Sequence, residues 1–559
     1  MAIRDEERLN RPSWRGDGSR GAPRPVVAAL AFVVLLAVLV ARNAFLFSNR
    51  YYEDADQGAN SILIEQARHF KLLVGNYSRL GFNHPGPAYL YVQAWGEELW
   101  YDLLHAVPTP WNGQLLAVYA LNSLFVALAV AIVYGWTRSV PAAAAGLAAF
   151  AAFAALHPEI LSSDWMPYLY VPTYVLFILA GASVAAGAAR DVWIFALAGW
   201  FLIHGHAAYL FFVPAITVVV LAALAWPRRE RILAALRTAP WASLRAFLRR
   251  HRRAWIPAVA ISALFLLPIV INLALHWPGS FGKYFSYGSS SKAGGQSVSA
   301  VLRYVLWFWW PGSTAPAARY VVIIPLVSYL VAAGLAWWCT SGLVRRFLLT
   351  LLGLNVVSSL LFIAYTAVGI DDLTRNGHYI GYFFWSAPLL TLLVAAVSLG
   401  DALTRALART SARRVLAGAA AALVAAGAIA GFAATPLART STSYSDPAAP
   451  WSSPPDTDAQ IPGAVATLAA RSPGQTLVLK LDHNSWEELT GFLVQAERTG
   501  VRACVDQRQW AFLISSQFIC TPQQAAAGAR YYLHFSASGT PGHGTVARMY
   551  QTWITAGNS

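Results

Sequence analysis

The stretch VVAALAFVVLLAVLVARNAFLFSNRYYEDADQ (26–57) joins an apolar segment of membrane-spanning length to three carboxylates, Glu53, Asp54 and Asp56. The apolar part is longer than the core of a secretory signal peptide and lacks a clear small-residue cleavage site. A carboxylate at membrane depth costs free energy unless it lines a polar cavity or acts in one. We therefore predict a first transmembrane helix, followed by an acidic loop with a function.

The composition extends this prediction to the whole chain. Of its 559 residues, 57% are hydrophobic and only 12% are charged, and the mean hydropathy is +0.47. Soluble domains carry about 25% charged residues, so we predict a polytopic α-helical membrane protein with about eleven transmembrane helices. After the first, the apolar runs of spanning length lie at roughly 114–136, 140–156, 168–188, 190–204, 207–226, 255–275, 319–338, 347–367, 380–399 and 413–435.

The net charge of +15 comes mainly from arginine in short loops between the apolar runs. A basic chain can bind nucleic acid, but basic and non-basic loops alternate here, as the positive-inside rule requires. We therefore expect membrane lipid, and no nucleic acid, as a partner. Residues 1–25 are predicted to be a disordered cytoplasmic tail. The abundance of Arg and Ala is typical of a GC-rich bacterium, so the membrane is expected to be a bacterial plasma membrane.

The polar end of the chain is predicted to be a separate unit. A Pro/Ser/Thr-rich linker, 436–455, follows the membrane domain 26–435. Strand-like and helix-like runs then alternate in 456–559, which predicts a small extracytoplasmic α/β domain. Cys504 and Cys520 lie in this unit, outside the reducing cytoplasm, so we predict a disulfide between them.

The first outer loop has its own organisation. Apolar residues recur near helical period through residues 62–73, with charges between them, which is typical of a helix in the membrane interface. The sequence Asn-His-Pro-Gly-Pro (83–87) then breaks the helix. A second interfacial helix is predicted through residues 89–104.

At these residues the chain resembles the GT-C superfamily of glycosyltransferases, in particular the branch of the protein O-mannosyltransferases and the lipid A aminoarabinose transferase. That branch typically has an acidic motif after the first span, an interfacial helix and a His-Pro-Pro-like turn. In this chain the acidic motif reads Glu-Asp-Ala-Asp-Gln (53–57) and the turn reads His-Pro-Gly-Pro (84–87). A further acidic residue is common in the second outer loop of the family, and Asp164 fits that position. The resemblance covers roughly the first five or six spans. Gln57 departs from the family pattern, in which a Glu is usual.

The resemblance implies transfer of a sugar from a polyprenyl-phosphate donor to a hydroxyl of a cell-envelope polysaccharide, glycolipid or protein on the outer face of the membrane. The anomeric centre would be inverted, with Asp54 or Asp56 as the base that takes the hydroxyl proton. Glu53, His84 and Asp164 would line the acceptor site. A divalent cation, Mg²⁺ or Mn²⁺, held by Asp54, Asp56 and Asp164 is an open alternative.

The departing prenyl phosphate needs positive charge. Lys283, Arg375 and His378 in the later outer loops are the candidates for this binding. A structural role is the alternative at these positions, such as a loop salt bridge for Arg375. A transporter or flippase without covalent chemistry is the competing function. Internal repeats and charges in mid-span would favour it, and we find neither. A non-catalytic relative that acts as a scaffold is a third alternative.

Overall fold

The computed structural model describes residues 23–230, 251–290, 297–309, 322–368, 378–407, 411–434, 460–536 and 542–557, with scattered positions in 231–250 and Ser538. The predicted linker 436–455, most of the predicted tail 1–25 and the candidate Arg375 lie outside the described residues.

The described part of the membrane domain consists of helices joined by short loops. Its longer helices are α1 (Arg24–Arg42), α2 (Ala55–Arg68), α3 (Ala88–Glu97), α4 (Pro110–Thr137), α5 (Val140–Leu156), α6 (Met166–Ala185), α7 (Val192–Gly205), α8 (Tyr209–Ala225), α9 (Arg252–His276), α10 (Gly279–Ser290), α11 (Val298–Trp307), α12 (Ile323–Cys339), α13 (Gly342–Ala367), α14 (Ser386–Leu407) and α15 (Ser411–Ala434).

Every predicted span coincides with one of these helices, and the other four (α2, α3, α10 and α11) lie in the predicted outer loops. Seven helical segments of the described chain are long and apolar enough to cross a membrane, and shorter apolar helices accompany them. The prediction of a polytopic α-helical membrane protein is therefore confirmed.

Two helices form the centre of the membrane domain. The apolar window of α6 is completely buried and that of α4 is 83% buried, whereas α1 and α9 bury only 17% of theirs. The inner helices therefore pack against protein, and the outer ones expose apolar side chains such as Leu30 and Leu264. Trp165 is the residue that directly precedes α6, whose early Pro167 favours a helix start. The rigid centre of the domain thus fixes the position of Trp165.

The first outer loop carries α2, a small hairpin and α3. Strands β1 (Tyr77–Ser78) and β2 (Phe82–Asn83) pair antiparallel, and Gly81 turns between them with a φ of +76°. Such a φ favours glycine because it has no Cβ. The hairpin therefore projects Tyr77 and Arg79 from a tight, defined turn.

The C-terminal residues form a mixed five-stranded sheet. Its strands are β3 (Leu477–Leu481), β4 (Ala503–Val505), β5 (Ala529–Phe535), β6 (Thr545–Met549) and β7 (Thr552–Ala556), and its longer helices are α16 (Gln460–Arg471) and α17 (Trp486–Arg498). The strand order is β4-β3-β5-β7-β6, with β3 parallel to β4 and β5, and with β7 antiparallel to β5 and β6. A disulfide joins Cys504 and Cys520, whose Cα atoms are 4.9 Å apart.

Helix α2 lies between the two units. Its residues Ala59 and Ile62 pack in the core of the C-terminal domain, whereas Leu63, Ile64 and Ala67 pack in the core of the membrane domain. The apolar pattern that predicted a membrane-surface helix therefore serves two protein cores. The acidic motif at the start of α2 is held by both units.

Candidate active site

A cavity of about 550 Å³ lies where the first outer loop meets the ends of the central helices. It is bordered by the start of α2, the hairpin β1–β2, the start of α6, the junction of α7 and α8, and the end of α13. Its lining includes polar side chains: Asp56, Asn60, Asn76, Tyr77, Ser78, Arg79, His84 and His206. It also includes apolar residues, among them Phe211, Ala364 and Val368.

Asp56 is the acidic residue in the lining of this cavity. The indole N–H of Trp165 donates a 2.6 Å hydrogen bond to Oδ2 of Asp56, and the hydroxyl of Tyr77 donates to Oδ1. Burial raises the pKa of Asp56, while the hydrogen bonds from Tyr77 and Trp165 and the charge of Arg79 act in the opposite direction. The result is an oriented carboxylate that is a stronger base than a solvated aspartate.

Asp54 occupies a different place. It is the N-cap residue of α2, in an extended conformation, and it is absent from the residues that line the cavity. Its backbone lies against α17, where a Cβ added to Gly491 would be 3.4 Å from Cα of Asp54. The two aspartates, which the sequence leaves equivalent, therefore face different surroundings.

Glu53 and Asp164 also lie behind the cavity wall. Glu53 is fully buried and forms a 2.6 Å ion pair with Arg498 of the C-terminal domain. Asp164 is buried and accepts hydrogen bonds from the indole of Trp111 at 2.6 Å and from the amide of Gln57 at 3.4 Å. Burial raises the pKa of Asp164 to about 6. Both carboxylates thus contact protein groups that hold the loops around the cavity.

His84 does line the cavity. Its ring lies 4.3 Å from that of His206, and its Nδ1 accepts a 3.2 Å hydrogen bond from the backbone N–H of Ala207. Burial, with a smaller effect of His206, lowers the pKa of His84 well below its usual value, so the ring is neutral at pH 7. Gly86 in the same turn packs so closely on His204 that a Cβ there would lie 2.3 Å from its ring. The His-Pro-Gly-Pro turn is therefore fitted to the α7–α8 junction.

Arg79 is the arginine in the cavity lining, and it is not among the phosphate-binding residues predicted from the sequence. Its guanidinium donates to the hydroxyl of Tyr379, and its charge acts on Asp56. No pattern distinguishes Arg79 from the other basic residues of the loop. Only the position of the Gly81 turn, with Tyr77 before it, could have indicated a side chain held in place.

Two of the three candidates for donor-phosphate binding, Lys283 and His378, are described by the structure, and neither is in the lining of this cavity. Lys283 is exposed, and its ammonium donates to the carbonyl of Gly81 at the tip of the hairpin. The His378 ring stacks on Trp307, with ring centroids 4.0 Å apart, while the next residue, Tyr379, lines the cavity.

In the described residues, the three aspartates considered for a cation do not come together at one site. Asp56 lines the cavity, whereas Asp54 and Asp164 do not. In the part of the chain that the structure describes, no three His, Cys, Asp or Glu side chains converge in the way that a bound cation requires. Both oxygens of Asp56 already accept hydrogen bonds from Tyr77 and Trp165.

Comparison with known proteins identifies the architecture. The sequence matches no family model and no curated protein sequence. Among solved structures, the crystal structure of ArnT from Cupriavidus metallidurans in the apo state is similar, with a TM-score of 0.51 and 13% identity. The similarity covers 94% of this chain and 97% of ArnT, an aminoarabinose transferase. The chain therefore has the fold of the GT-C membrane glycosyltransferases.

Proposed function

We propose that this protein is a glycosyltransferase that moves a sugar from a polyprenyl-phosphate donor to a hydroxyl of a cell-envelope acceptor, on the outer face of a bacterial plasma membrane. The observation that carries the proposal is that one cavity combines a carboxylate, Asp56, and a guanidinium, Arg79, with apolar lining residues such as Phe211 and Val368. Inverting transfer from a phosphate-linked sugar needs a base and a cation within one site.

The base in this proposal is Asp56. The acceptor O–H gives its proton to the Asp56 carboxylate while the acceptor oxygen forms a bond to the anomeric carbon. A positioned base of this kind contributes about 10²- to 10⁴-fold to a rate. Its raised pKa makes Asp56 a better proton acceptor, and the hydrogen bonds from Tyr77 and Trp165 fix the direction in which its oxygens point.

The cation for the leaving group in this proposal is Arg79. As the bond from the anomeric carbon to the phosphate oxygen breaks, the electron pair leaves with the prenyl phosphate, whose negative charge increases. A guanidinium can donate two parallel hydrogen bonds to a phosphate, which makes it well suited to this charge. Attack from the side opposite the phosphate inverts the anomeric centre. The neutral His84 in the same lining can hydrogen-bond sugar hydroxyls without adding charge.

Apolar side chains in the cavity lining suit the prenyl chain. Phe211 on α8 and Val368 after α13 belong to this lining, and they are 46% and 69% exposed. Exposed apolar residues beside membrane-spanning helices are stable only where lipid or a lipid-like chain covers them. A donor could therefore place its prenyl chain between α8 and α13, with its sugar beside Asp56. The basic loops lie on the opposite side of the spans, which supports an outer location for the cavity.

The test is to follow a covalent product. Purified protein in liposomes receives radiolabelled polyprenyl-phosphate sugars, and the envelope fraction of a deletion strain serves as the acceptor. The proposal expects labelled acceptor together with released polyprenyl phosphate, and the deletion strain should lack the same sugar in its envelope. Transbilayer movement of an intact donor, with no sugar transferred for any donor of the panel, would contradict it and favour a flippase.

A further inference from the structure

The C-terminal domain contacts the membrane domain where α17 crosses α2. Two glycines allow this approach: a Cβ on Gly58 of α2 would lie 2.5 Å from Oγ1 of Thr490, and a Cβ on Gly491 of α17 would lie 2.4 Å from the carbonyl oxygen of Glu53. Real Cβ atoms do not come within 3.0 Å of other heavy atoms, and backbone atoms of the other helix or its preceding residue lie inside this limit at both positions, so a larger residue at either one must separate the helices. The contact between α2 and α17 therefore does not tolerate a larger side chain at either glycine.

The backbone beside Asp56 is strained, and Thr490 of α17 binds it there. Ala55 has a φ of +43°, a conformation that costs a residue with a Cβ about 1–3 kcal/mol. The Thr490 side chain is fully buried, and its hydroxyl proton is shared between the carbonyl of Ala55 at 2.9 Å and that of Glu487 in its own helix at 2.8 Å. The peptide that joins Ala55 to Asp56 is thus fixed by a side chain of the other domain.

A buried guanidinium fixes the same segment from the other side. Arg498, at the end of α17, pairs with Glu53 at 2.6 Å, with Glu65 at 2.9 Å and with Glu97 at 3.3 Å. Glu53 lies three residues before Asp56, Glu65 lies on α2 and Glu97 ends α3. Since Arg498 joins the acidic motif to both loop helices, any movement of the C-terminal domain moves this loop as well.

We propose that the C-terminal domain is a positioning element for the catalytic base, and that Thr490, Gly491 and Arg498 hold Asp56 in the cavity wall through the strained Ala55 peptide. This inference rests on the proposed function of Asp56. No residue of the C-terminal domain is among those that line the cavity in the described chain, so the domain acts through α2. A misplacement of about 1 Å in a reacting group can lower a rate about 100-fold.

The test uses two matched pairs of variants in the full-length protein. Gly491→Ala forces α17 away from Glu53, whereas Gly463→Ala, on α16 of the same domain, places a methyl group where no atom lies within 4 Å. Thr490→Val keeps the shape of the side chain but removes the hydrogen bond to Ala55, and Thr490→Ser keeps the hydroxyl. The measurements are kcat, KM for the prenyl-phosphate sugar, the pH–rate profile, and hydrogen exchange of residues 53–60.

The proposal expects Gly491→Ala and Thr490→Val to lower kcat by about 10- to 100-fold, with KM for the donor within about twofold. The acid limb of the pH–rate profile should shift, because Asp56 changes its position relative to Tyr77, Arg79 and Glu487, the titratable groups that act on it. Exchange at 53–60 should accelerate. Gly463→Ala and Thr490→Ser should resemble the wild type.

A purely structural role would lower the amount of active protein, so rates would fall equally at every pH and exchange at 53–60 in the folded fraction would stay slow. That result overturns the proposal, and so does an unchanged kcat in both test variants. If the wild type transfers no sugar, the proposed function fails. Hydrogen exchange then still decides whether the C-terminal domain fixes the start of α2.

Discussion

The indole nitrogen of Trp165, at the start of the central helix α6, lies 2.6 Å from Oδ2 of Asp56. The pair joins the most buried helix of the membrane domain to the acidic motif of the first outer loop. A second indole, that of Trp111, makes a bond of the same length to Asp164. The two pairs are alike in chemistry, but only the first one lies in the cavity lining.

This relationship predicts the effect of removing each indole N–H on the pH–rate profile. In the wild type, the rate should fall as the pH decreases through the raised pKa of Asp56, because a protonated carboxyl cannot accept the acceptor proton. The Trp165 hydrogen bond favours the ionised form and lowers this pKa. Trp165→Phe should therefore raise the pKa further and move the acid limb to higher pH, with a loss of kcat of about tenfold.

Trp111→Phe is the matched control for this prediction. It removes the equivalent bond from Asp164, which lies behind the cavity wall, so the acid limb should keep its position. If Trp111→Phe shifts the limb and Trp165→Phe does not, Asp164 rather than Asp56 controls the profile, and the assignment is contradicted.

The position of Arg79 in the cavity lining predicts that its removal weakens donor binding and the stabilisation of the leaving group. Arg79→Met should lower kcat/KM for the prenyl-phosphate sugar by about 10- to 100-fold, because a charged hydrogen bond to phosphate is worth about 1.5–3 kcal/mol and strengthens as the phosphate leaves. The measurement is steady-state transfer at varied donor concentration. Lys283→Met should have a much smaller effect, since Lys283 contacts the Gly81 carbonyl outside the cavity lining. Equal losses of kcat/KM in the two variants would contradict a phosphate site at Arg79 alone and would indicate that Lys283 contributes to it.

The disulfide predicts a measurable contribution to the stability of the C-terminal domain. Cys504 and Cys520 are sixteen residues apart, and closing a loop of about 15 residues is worth about 3 kcal/mol in the chain-entropy model. Cys504→Ser with Cys520→Ser should therefore lower the unfolding temperature of this domain and speed its proteolysis. Cys339→Ser, at the free cysteine of α12, should leave both unchanged. Equal protease resistance of all three proteins would show that the disulfide contributes nothing.

The spans could be predicted because hydropathy and loop charge act locally along the chain. A bilayer requires about 20 apolar residues for each helix, so each span is visible as a continuous run. The C-terminal sheet region was predicted in outline, but helix α16 and strand β7 were not. A short strand such as Thr552–Ala556 gains its stability from pairing with β5 and β6, which no local pattern reveals.

The lining of the candidate cavity could be predicted only in part, for a different reason. The acidic motif and the His-Pro-Gly-Pro turn indicate the first outer loop, and Asp56 and His84 of this loop line one cavity. The partners of this loop are distant in sequence: Glu53 pairs with Arg498, and Thr490 binds Ala55. Tertiary packing chooses between Asp54 and Asp56, and it selects Arg79 from a loop with several basic residues. The sequence contains no local signal for either choice.

The most direct measurement is the single-turnover rate of sugar transfer by Asp56→Asn and Asp54→Asn, each purified, folded and loaded with donor. Asparagine keeps the shape of the side chain but accepts no proton. The account predicts that Asp56→Asn loses at least about 100-fold in rate while it still binds the prenyl-phosphate sugar. The loss of rate in Asp54→Asn should be smaller by a factor of at least about ten. Transfer at the wild-type rate by Asp56→Asn, or a greater loss in Asp54→Asn, would contradict it.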